Sequence, residues 1–507
     1  MKENKKISIA NQAIGNSILD IISSFVQRIG GLIFTIIVAR ILMPEGFGIY
    51  GLAISIASVF MVFGKMGIDE TFIRYFSEFS RNKKMASAYF KFIMKIKLIV
   101  LLVLLTIIFL SSHVLVNLVF KKPALFLPLL LCAGYMFILS IEGLFTSFFI
   151  AIRKIKYVVY KESLFQFLRI ILVVIMVAIF VKNPDIINTF LSLILASIVT
   201  FLFVIFKIKA MSPNLFKKAG KLDKKDKKRI IHFFGYFTFT SISLVFFGNI
   251  DSVMIGYLIE NASAIGFYKA AFTISSSIAG FLGFGMVLLP LFIQKKKKLE
   301  YVYNIVLKYL MILAIPATFG IIALASHFVV LIYDYEYIES TLPLIFLAFT
   351  IILTVYVSSV VQLFLTKEKP QGYFKLLLSV IIINIILNYI LITSLLRYSI
   401  IWGVSGAAIA TVLSWLIYAV GINILAKKKL GIRTKIRVMI KPFFASLVMF
   451  AVIYLIKKQY YDISLLSGFL LVITGAVIYL IIMLVIKGIV KEDILIFRDF
   501  IKNSNLI

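Results

Sequence analysis

Runs without a single Asp, Glu, Lys or Arg recur from one end of this chain to the other. Leu98–Phe120, Tyr309–Tyr333, Thr341–Thr366, Leu376–Leu396, Tyr398–Ala426 and Ile463–Ile486 are examples. A helix rises about 1.5 Å per residue, so roughly 20 apolar residues cross a hydrocarbon core of about 30 Å. Each of these runs is long enough. With 62% of all residues apolar and only 15% charged, nothing between the runs is large enough for a soluble domain. Inside lipid, backbone N–H and C=O groups must find partners within their own segment, so the runs read as helices. The fold class expected is an all-α polytopic membrane protein.

Fourteen spans follow from the runs and the loops between them: 12–39, 47–66, 89–111, 123–150, 157–181, 186–207, 232–258, 264–293, 303–326, 341–366, 372–396, 402–426, 438–457 and 464–486. The distribution of cations supports that count. With the N-terminus placed inside, 44 of the 54 Lys and Arg fall on the inner side and seven on the outer. Cytoplasmic loops carry this excess, so both termini read as cytoplasmic. The net charge of +32 is accordingly a topology signal and an attraction to anionic membrane lipids. It does not point to nucleic acid, because no folded reader accompanies the basic patches.

The chain also repeats itself. Phe47-Gly48-Ile49-Tyr50-Gly51-Leu52-Ala53-Ile54 returns 218 residues later as Ile265-Gly266-Phe267-Tyr268-Lys269-Ala270-Ala271-Phe272. Ser112-His113 and Pro128 are answered by Ser326-His327 and Pro343. Six spans per copy is an even number, so the two copies run in parallel about an axis along the membrane normal. The division expected is a six-helix lobe over 1–208, a cytoplasmic Lys-rich linker over 209–231 and a second six-helix lobe over 232–430. Two additional spans and a cytoplasmic tail fill 431–507. The linker's run Lys217–Arg229 reads as a solvated loop or an amphipathic surface helix.

The single Cys132 excludes an internal disulfide, and three scattered His residues do not form a metal site. No cofactor is expected. Met1-Lys2-Glu3-Asn4-Lys5-Lys6 resembles the start of a signal peptide, but the first span is long and should stay as an anchor. Outer loops are short throughout, which leaves little outside the membrane for catalytic chemistry. A transporter is expected, not an enzyme.

Ionisable residues left within spans are costly and by default face a partner or a hydrated cavity. They are Asp20 and Arg28 on span 1, Glu142 on span 4, Arg169 on span 5, Asp251 on span 7 and Lys269 on span 8. Asp20, Ser24 and Arg28 form one polar stripe, with Asp20 and Arg28 about 12 Å apart along the axis and too far to pair. Gln166 and Arg169 give span 5 a similar face. Each Arg reads either as a clamp between helices or as a phosphate fork in a lumen, since guanidinium binds phosphate oxygens in pairs and stays charged when partly dry. Asp251 and Lys269 read as an ion pair or as a titratable pair where protonation or cation binding frees the lysine. Glu142 is expected to find Arg28 or Arg169, or to be protonated. A coupling cation, H+ or Na+, is left open.

Three stretches carry a family resemblance. Ala39-Arg40-Ile41-Leu42-Met43-Pro44-Glu45-Gly46-Phe47-Gly48-Ile49-Tyr50 resembles the first hairpin of Wzx-type lipid-linked oligosaccharide flippases. Asn249-Ile250-Asp251, Gly256 and Gly266-Phe267-Tyr268-Lys269-Ala270-Ala271 are similar to their seventh and eighth helices, and Trp402-Gly403-Val404-Ser405-Gly406-Ala407-Ala408 to the start of the twelfth. This family sits with the multidrug and toxin extruders in the MOP superfamily. The resemblance implies a V-shaped pair of lobes working by alternating access. The cargo it implies is a polyprenyl-linked oligosaccharide, flipped from the cytoplasmic to the outer leaflet of the cell membrane for surface polysaccharide or glycan assembly. It also implies that Arg28 and Arg169 hold phosphate, that the last two spans shape a groove for the lipid tail, and that glycosyltransferases or a polymerase of the same pathway are partners. The alternative is a multidrug or cation antiporter of the same fold, which calls for acidic lumen residues in place of Arg28, Arg169 and Lys269.

Overall fold

In a computed structural model the described residues are 2–65, 67–80, 82–179, 186–216, 220, 222–283, 298–367, 369, 371–459 and 464–489. They form helices and turns, with no strand among them. The helices are α1 (Lys2–Met61), α2 (Ile68–Phe79), α3 (Lys83–Val114), α4 (Phe126–Ala151), α5 (Lys156–Ile179) and α6 (Ile186–Met211). There follow α7 (Lys224–Leu258), α8 (Ser263–Leu282), α9 (Leu299–Ala323), α10 (Ala325–Tyr333), α11 (Thr341–Leu347) and α12 (Phe349–Thr366). The last four are α13 (Gln371–Leu396), α14 (Ile400–Leu425), α15 (Ile440–Gln459) and α16 (Leu465–Val485).

Eleven of the described helices are long and apolar enough to cross a membrane, against fourteen spans read from the sequence. One difference lies in how the first two spans join. Spans 1 and 2 fuse into α1, whose only non-helical backbone is Met43 (φ 57°, ψ 172°). Pro44 follows directly and opens the second half of α1, a position where its missing N–H costs nothing. Helices α5 and α7, of 24 and 35 residues, correspond to spans 5 and 7 of the sequence. Outward-facing apolar residues such as Leu110, Phe206 and Val485 are 65–74% exposed, the pattern of a surface that meets lipid.

The chain packs as two compact units. One takes in the chain up to Ala270 together with Leu377–Ala410; the other holds Ala271–Leu376 and the chain from Thr411. These units cut through α8, α13 and α14, whereas the division at 208, 231 and 430 follows the repeat.

The linker was read as a solvated loop or a surface helix, and its described residues from Lys224 onward are helical. Lys224 already begins α7, Ser87 on α3 donates to the Leu215 carbonyl at 2.9 Å, and the Gly220 N–H reaches the Lys84 carbonyl at 3.0 Å. Arg229 forks onto Glu78 at 3.0 and 3.2 Å and lies over the Tyr75 ring. Lys122, an outer lysine in the charge count, is also spent structurally. Its ammonium donates to the carbonyls of Gly256 and Ile259 at 2.9 and 3.0 Å, satisfying the open end of α7. Burial lowers its pKa from the ordinary lysine value, with Glu260 opposing the shift.

The repeated motif meets itself in the first unit. A Cβ on Gly48 would lie 2.0 Å from the carbonyl oxygen of Ala262, and one on Gly266 would lie 2.0 Å from that of Pro44. Pro44 and Ala262 are themselves 218 residues apart, as are Gly48 and Gly266, so the contact is reciprocal: each copy's glycine lies on the other copy's carbonyl. One turn further on, equivalent positions 51 and 269 face each other. A Cβ at Gly51 would be 2.9 Å from Cγ of Lys269. Two equivalent residues on a local two-fold cannot both be large, which explains why a glycine answers a lysine there. Glycine at these helix faces admits close backbone approach and weak Cα–H···O contacts.

Gly48→Ala and Gly266→Ala should each destabilise the protein by at least the about 1–3 kcal/mol of ordinary overpacking, because the obstacle is backbone and cannot rotate away. Thermal unfolding of the purified variants in detergent checks this; wild-type transitions in both would show that the helices are not in contact there.

Candidate functional site

A cavity of about 690 Å³ opens within the first unit between α1, α2, α4, α5 and α7. Its charged wall comes from α5. Lys161, Glu162, Phe165, Gln166 and Arg169 recur at three- and four-residue steps and so share one helix face, turned to the cavity. Two glycines on α1 let that face approach. A Cβ on Gly30 would lie 2.6 Å from Oε1 of Gln166, and one on Gly31 would lie 3.3 Å from a terminal nitrogen of Arg169.

Arg169 is held by rings. Its guanidinium carbon is 4.7 Å from the centre of the Phe34 ring and 5.3 Å from that of Phe165, and both phenylalanines are buried. Such contacts contribute on the order of 2 kcal/mol when water is excluded. Its Nε is buried without a hydrogen-bond partner among the described residues. Two aromatic faces thus fix the plane of the guanidinium and consume none of its N–H donors. That is the arrangement a bidentate oxyanion contact requires.

The rest of the charged wall lies nearer the start of α5. Lys161 sits 3.6 Å from Glu142 on α4 and 3.3 Å from Glu162, and Gln166 donates to Glu162 at 2.6 Å. Glu142 is 1% exposed, and neither of its oxygens accepts a hydrogen bond among the described residues. The sequence offered Arg28 or Arg169 as its partner, or protonation; the cation beside it is Lys161. At about 1.5 Å per residue, eight residues along α5 separate Lys161 from Arg169 by about 12 Å, which keeps the arginine clear of the carboxylates. Asp69 and Glu70 of α2 line the same cavity, and Asp69 accepts from Lys97 of α3 at 2.6 Å, an ammonium that is fully buried. Hydroxyls of Ser140 and Thr146 also line it and have no partner among the described residues.

Asp251 belongs to a second cluster in the same unit. It is 3% exposed and accepts from the Tyr268 hydroxyl at 2.5 Å and from Nδ2 of Asn388 at 2.7 Å. Asn388 also donates to the Asn384 carbonyl at 3.0 Å, while its own Oδ1 is buried without a partner. Lys269 lays its stem on Gly51 and feels the charge of Asp251. The carboxylate thus carries neutral donors as well as a nearby lysine.

Of the sequence candidates, Arg169 and Glu142 share the cavity. Arg28 is exposed on α1 and does not line it; Asp251 and Lys269 lie apart from it; the side chain of Asp20 lies outside the described residues. Lys161, Glu162 and Lys97 were passed over, because charges near the ends of spans look like anchors. The signal that could have found the first two was helical spacing: Glu162 lies four and seven residues before Gln166 and Arg169, and Lys161 eight before Arg169.

The sequence profile described as polysaccharide biosynthesis protein matches residues 14–296, more than half of the chain. The chain belongs to the polysaccharide biosynthesis protein family. No curated protein sequence matches it. Among solved structures, the lipid II flippase MurJ in an inward closed conformation aligns with a TM-score of 0.76 at 18% identity, covering 96% of this chain and 99% of that one. An inward-facing multidrug resistance MATE transporter of the MOP superfamily aligns at 0.60 and 14% identity, covering 86% and 96%. A Vibrio cholerae MATE transporter aligns at 0.51 and 11% identity, covering 83% and 98%. This polysaccharide biosynthesis family member therefore has the MurJ/MATE fold of the MOP superfamily.

Lys161→Ala leaves two buried carboxylates without their cation and should cost about 3 kcal/mol of stability. Adding Glu142→Gln should recover part of that loss in thermal-shift measurements. If the double variant melts no higher than Lys161→Ala alone, Lys161 does not neutralise Glu142.

Proposed function

We propose that this member of the polysaccharide biosynthesis family is a flippase. It moves an oligosaccharide linked through phosphate or pyrophosphate to a polyprenyl lipid from the cytoplasmic to the outer leaflet, by alternating access. The family and the fold are those of transporters of lipid-linked or amphipathic cargo. The observation that carries the substrate reading is Arg169, a guanidinium held by two rings in a membrane-embedded cavity with its N–H edge uncommitted. Unpartnered hydroxyls from Ser140 and Thr146 supply the neutral donors that a glycan uses. An apolar groove of about 410 Å³ between α9, α15 and α16, lined by residues such as Leu313, Pro316, Met449 and Leu480, suits a lipid chain and gives the last two spans a use. The protein works in the cell membrane with both termini cytoplasmic, beside the glycosyltransferases or polymerase that make and extend its cargo.

Asp251 supports a coupling role. A buried carboxylate that accepts from a tyrosine hydroxyl and an asparagine amide can exchange these neutral donors for H+ or Na+, and Oδ1 of Asn388 beside it, unpartnered among the described residues, is a further oxygen for a cation. The antiporter alternative is disfavoured by the arginine in the cavity, which repels a lipophilic cation.

Arg169→Ala should reduce flipping at least 10-fold at unchanged protein level, with Arg169→Lys intermediate because a point charge keeps attraction and loses the fork. Accumulation of lipid-linked glycan on the inner leaflet reads this out. Arg28→Ala, assayed in parallel, tests whether the exposed arginine also lies on the substrate path. Wild-type flipping by Arg169→Ala would remove the phosphate role, and dye sensitivity without glycan accumulation in a deletion strain would favour the antiporter.

Asp251→Asn should leave folding intact, since an amide can still accept from Tyr268. It should abolish the response of transport to an imposed H+ or Na+ gradient. An undiminished response would place coupling elsewhere.

A further inference from the structure

The second unit contains a cavity of about 810 Å³ where α9, the turn before α15 and the end of α16 come together. Six cations line it: Lys308, Arg433, Lys435, Arg437, Lys441 and Lys487. Among the described residues the only acid in the lining is Glu300. The sequence treated these residues as part of the inner-side charge excess, but free anchors would not need to be held in place, and these are. Asn304 of α9 donates to the Arg433 carbonyl at 3.1 Å and accepts from the Lys435 N–H at 2.8 Å. Thr434 between them bonds Asn423 at 2.9 Å and Tyr303 at 3.2 Å. Lys441 donates to the Lys487 carbonyl at 2.8 Å, tying the start of α15 to the end of α16. Arg433, Lys435, Arg437, Lys441 and Lys487 form no ion pair within 4.0 Å with a described carboxylate.

Like charges gathered on a pinned turn repel one another, and the backbone bonds that hold them there oppose that repulsion. An arrangement of this kind is stabilised by an anion that bridges the cations. The surroundings say which anion. Ile436, Ile440 and Leu484 beside the cavity are 56–61% exposed, so its rim offers apolar surface to acyl chains. Ile312 lines both this cavity and the apolar groove between α9, α15 and α16, so head and chain sites adjoin. A glycan has little to bind, because no aromatic ring lines the cavity and its one hydroxyl, on Thr434, is already taken.

We propose that this basic cavity is a resident site for a bilayer phospholipid whose headgroup carries two phosphates, with an acyl chain running toward the apolar groove. Basic pockets between membrane helices on the cytoplasmic side recognise such headgroups by charge and by multiple N–H donors. The site is separate from the Arg169 cavity and does not depend on what that cavity transports.

Native mass spectrometry of the full-length protein, titrated with purified lipids, tests the assignment. A diphosphate phospholipid of the cardiolipin type should bind at least 10-fold more tightly than phosphatidylglycerol. Arg433→Gln/Lys435→Gln/Arg437→Gln should lower that affinity at least 10-fold, whereas Arg433→Lys/Arg437→Lys should keep it within about threefold and shows that the turn still folds. Arg169→Ala should leave it unchanged. Equal binding of the two phospholipids, or an unaffected Gln triple variant, overturns the proposal. So does polyprenyl diphosphate displacing the phospholipid at equal concentration, which would make the cavity a loading site for the carrier.

Discussion

Placing a charge in hydrocarbon costs on the order of 3 kcal/mol or more, and each buried ionisable group in this protein meets that cost in a different way. Lys97 is neutralised by Asp69 at 2.6 Å. Lys161 stands between Glu142 and Glu162. Lys122 is surrounded by carbonyls at the end of α7, and Asp251 by a hydroxyl and an amide. Arg169 is the exception in kind. Its neighbours are two phenyl faces, which attract the cation without using its donors. The difference between a structural cation and a ligand-ready one lies here in what the partner leaves unoccupied.

Helix contacts make those placements attainable. Between membrane helices there is little hydrophobic driving force, so close approach depends on small residues. Gly30 and Gly31 bring α5 against α1 and thereby set the wall of the cavity. Gly48 and Gly266 bring the two copies of the repeat onto each other's carbonyls. The duplication is therefore more than a trace of ancestry, since one copy's glycine is the receptor for the other copy's backbone. Lys269 and Gly51 show how the symmetry is broken where it must be.

The membrane class, the long helices and the repeat could all be read along the chain, because apolar runs and a 218-residue echo are properties of one dimension. The turn at Met43 falls in the gap at 40–46 read between spans 1 and 2, although a single non-helical residue before Pro44 makes it. Span 5 was legible as an apolar run, and α5 is continuous there although four charges lie along it. For the site, Arg169 was marked by its depth in a span. Arg28 carried the same mark, yet it lies exposed, because depth along a helix does not say which way a side chain faces. Lys161 and Glu162 were discounted as end-of-helix charges, and only their shared face with Gln166 and Arg169 makes them part of the cavity.

By itself the sequence determined that the chain lives in a membrane, that it is built from helices, that its cations favour one side, and that it contains two related copies. Those follow from solvation and from periodicity, which each segment carries without reference to the others. Tertiary structure alone decided that Glu142 answers to Lys161, that Asp251 answers to Tyr268 and Asn388, and that the equivalent residues Gly51 and Lys269 touch. It also decided that cations scattered from Lys308 to Lys487 converge on one pinned cavity. Partners such as these are chosen by distance and orientation between helices far apart in the chain. In a low-dielectric interior those few ångströms decide whether a charge is held, shared or left available.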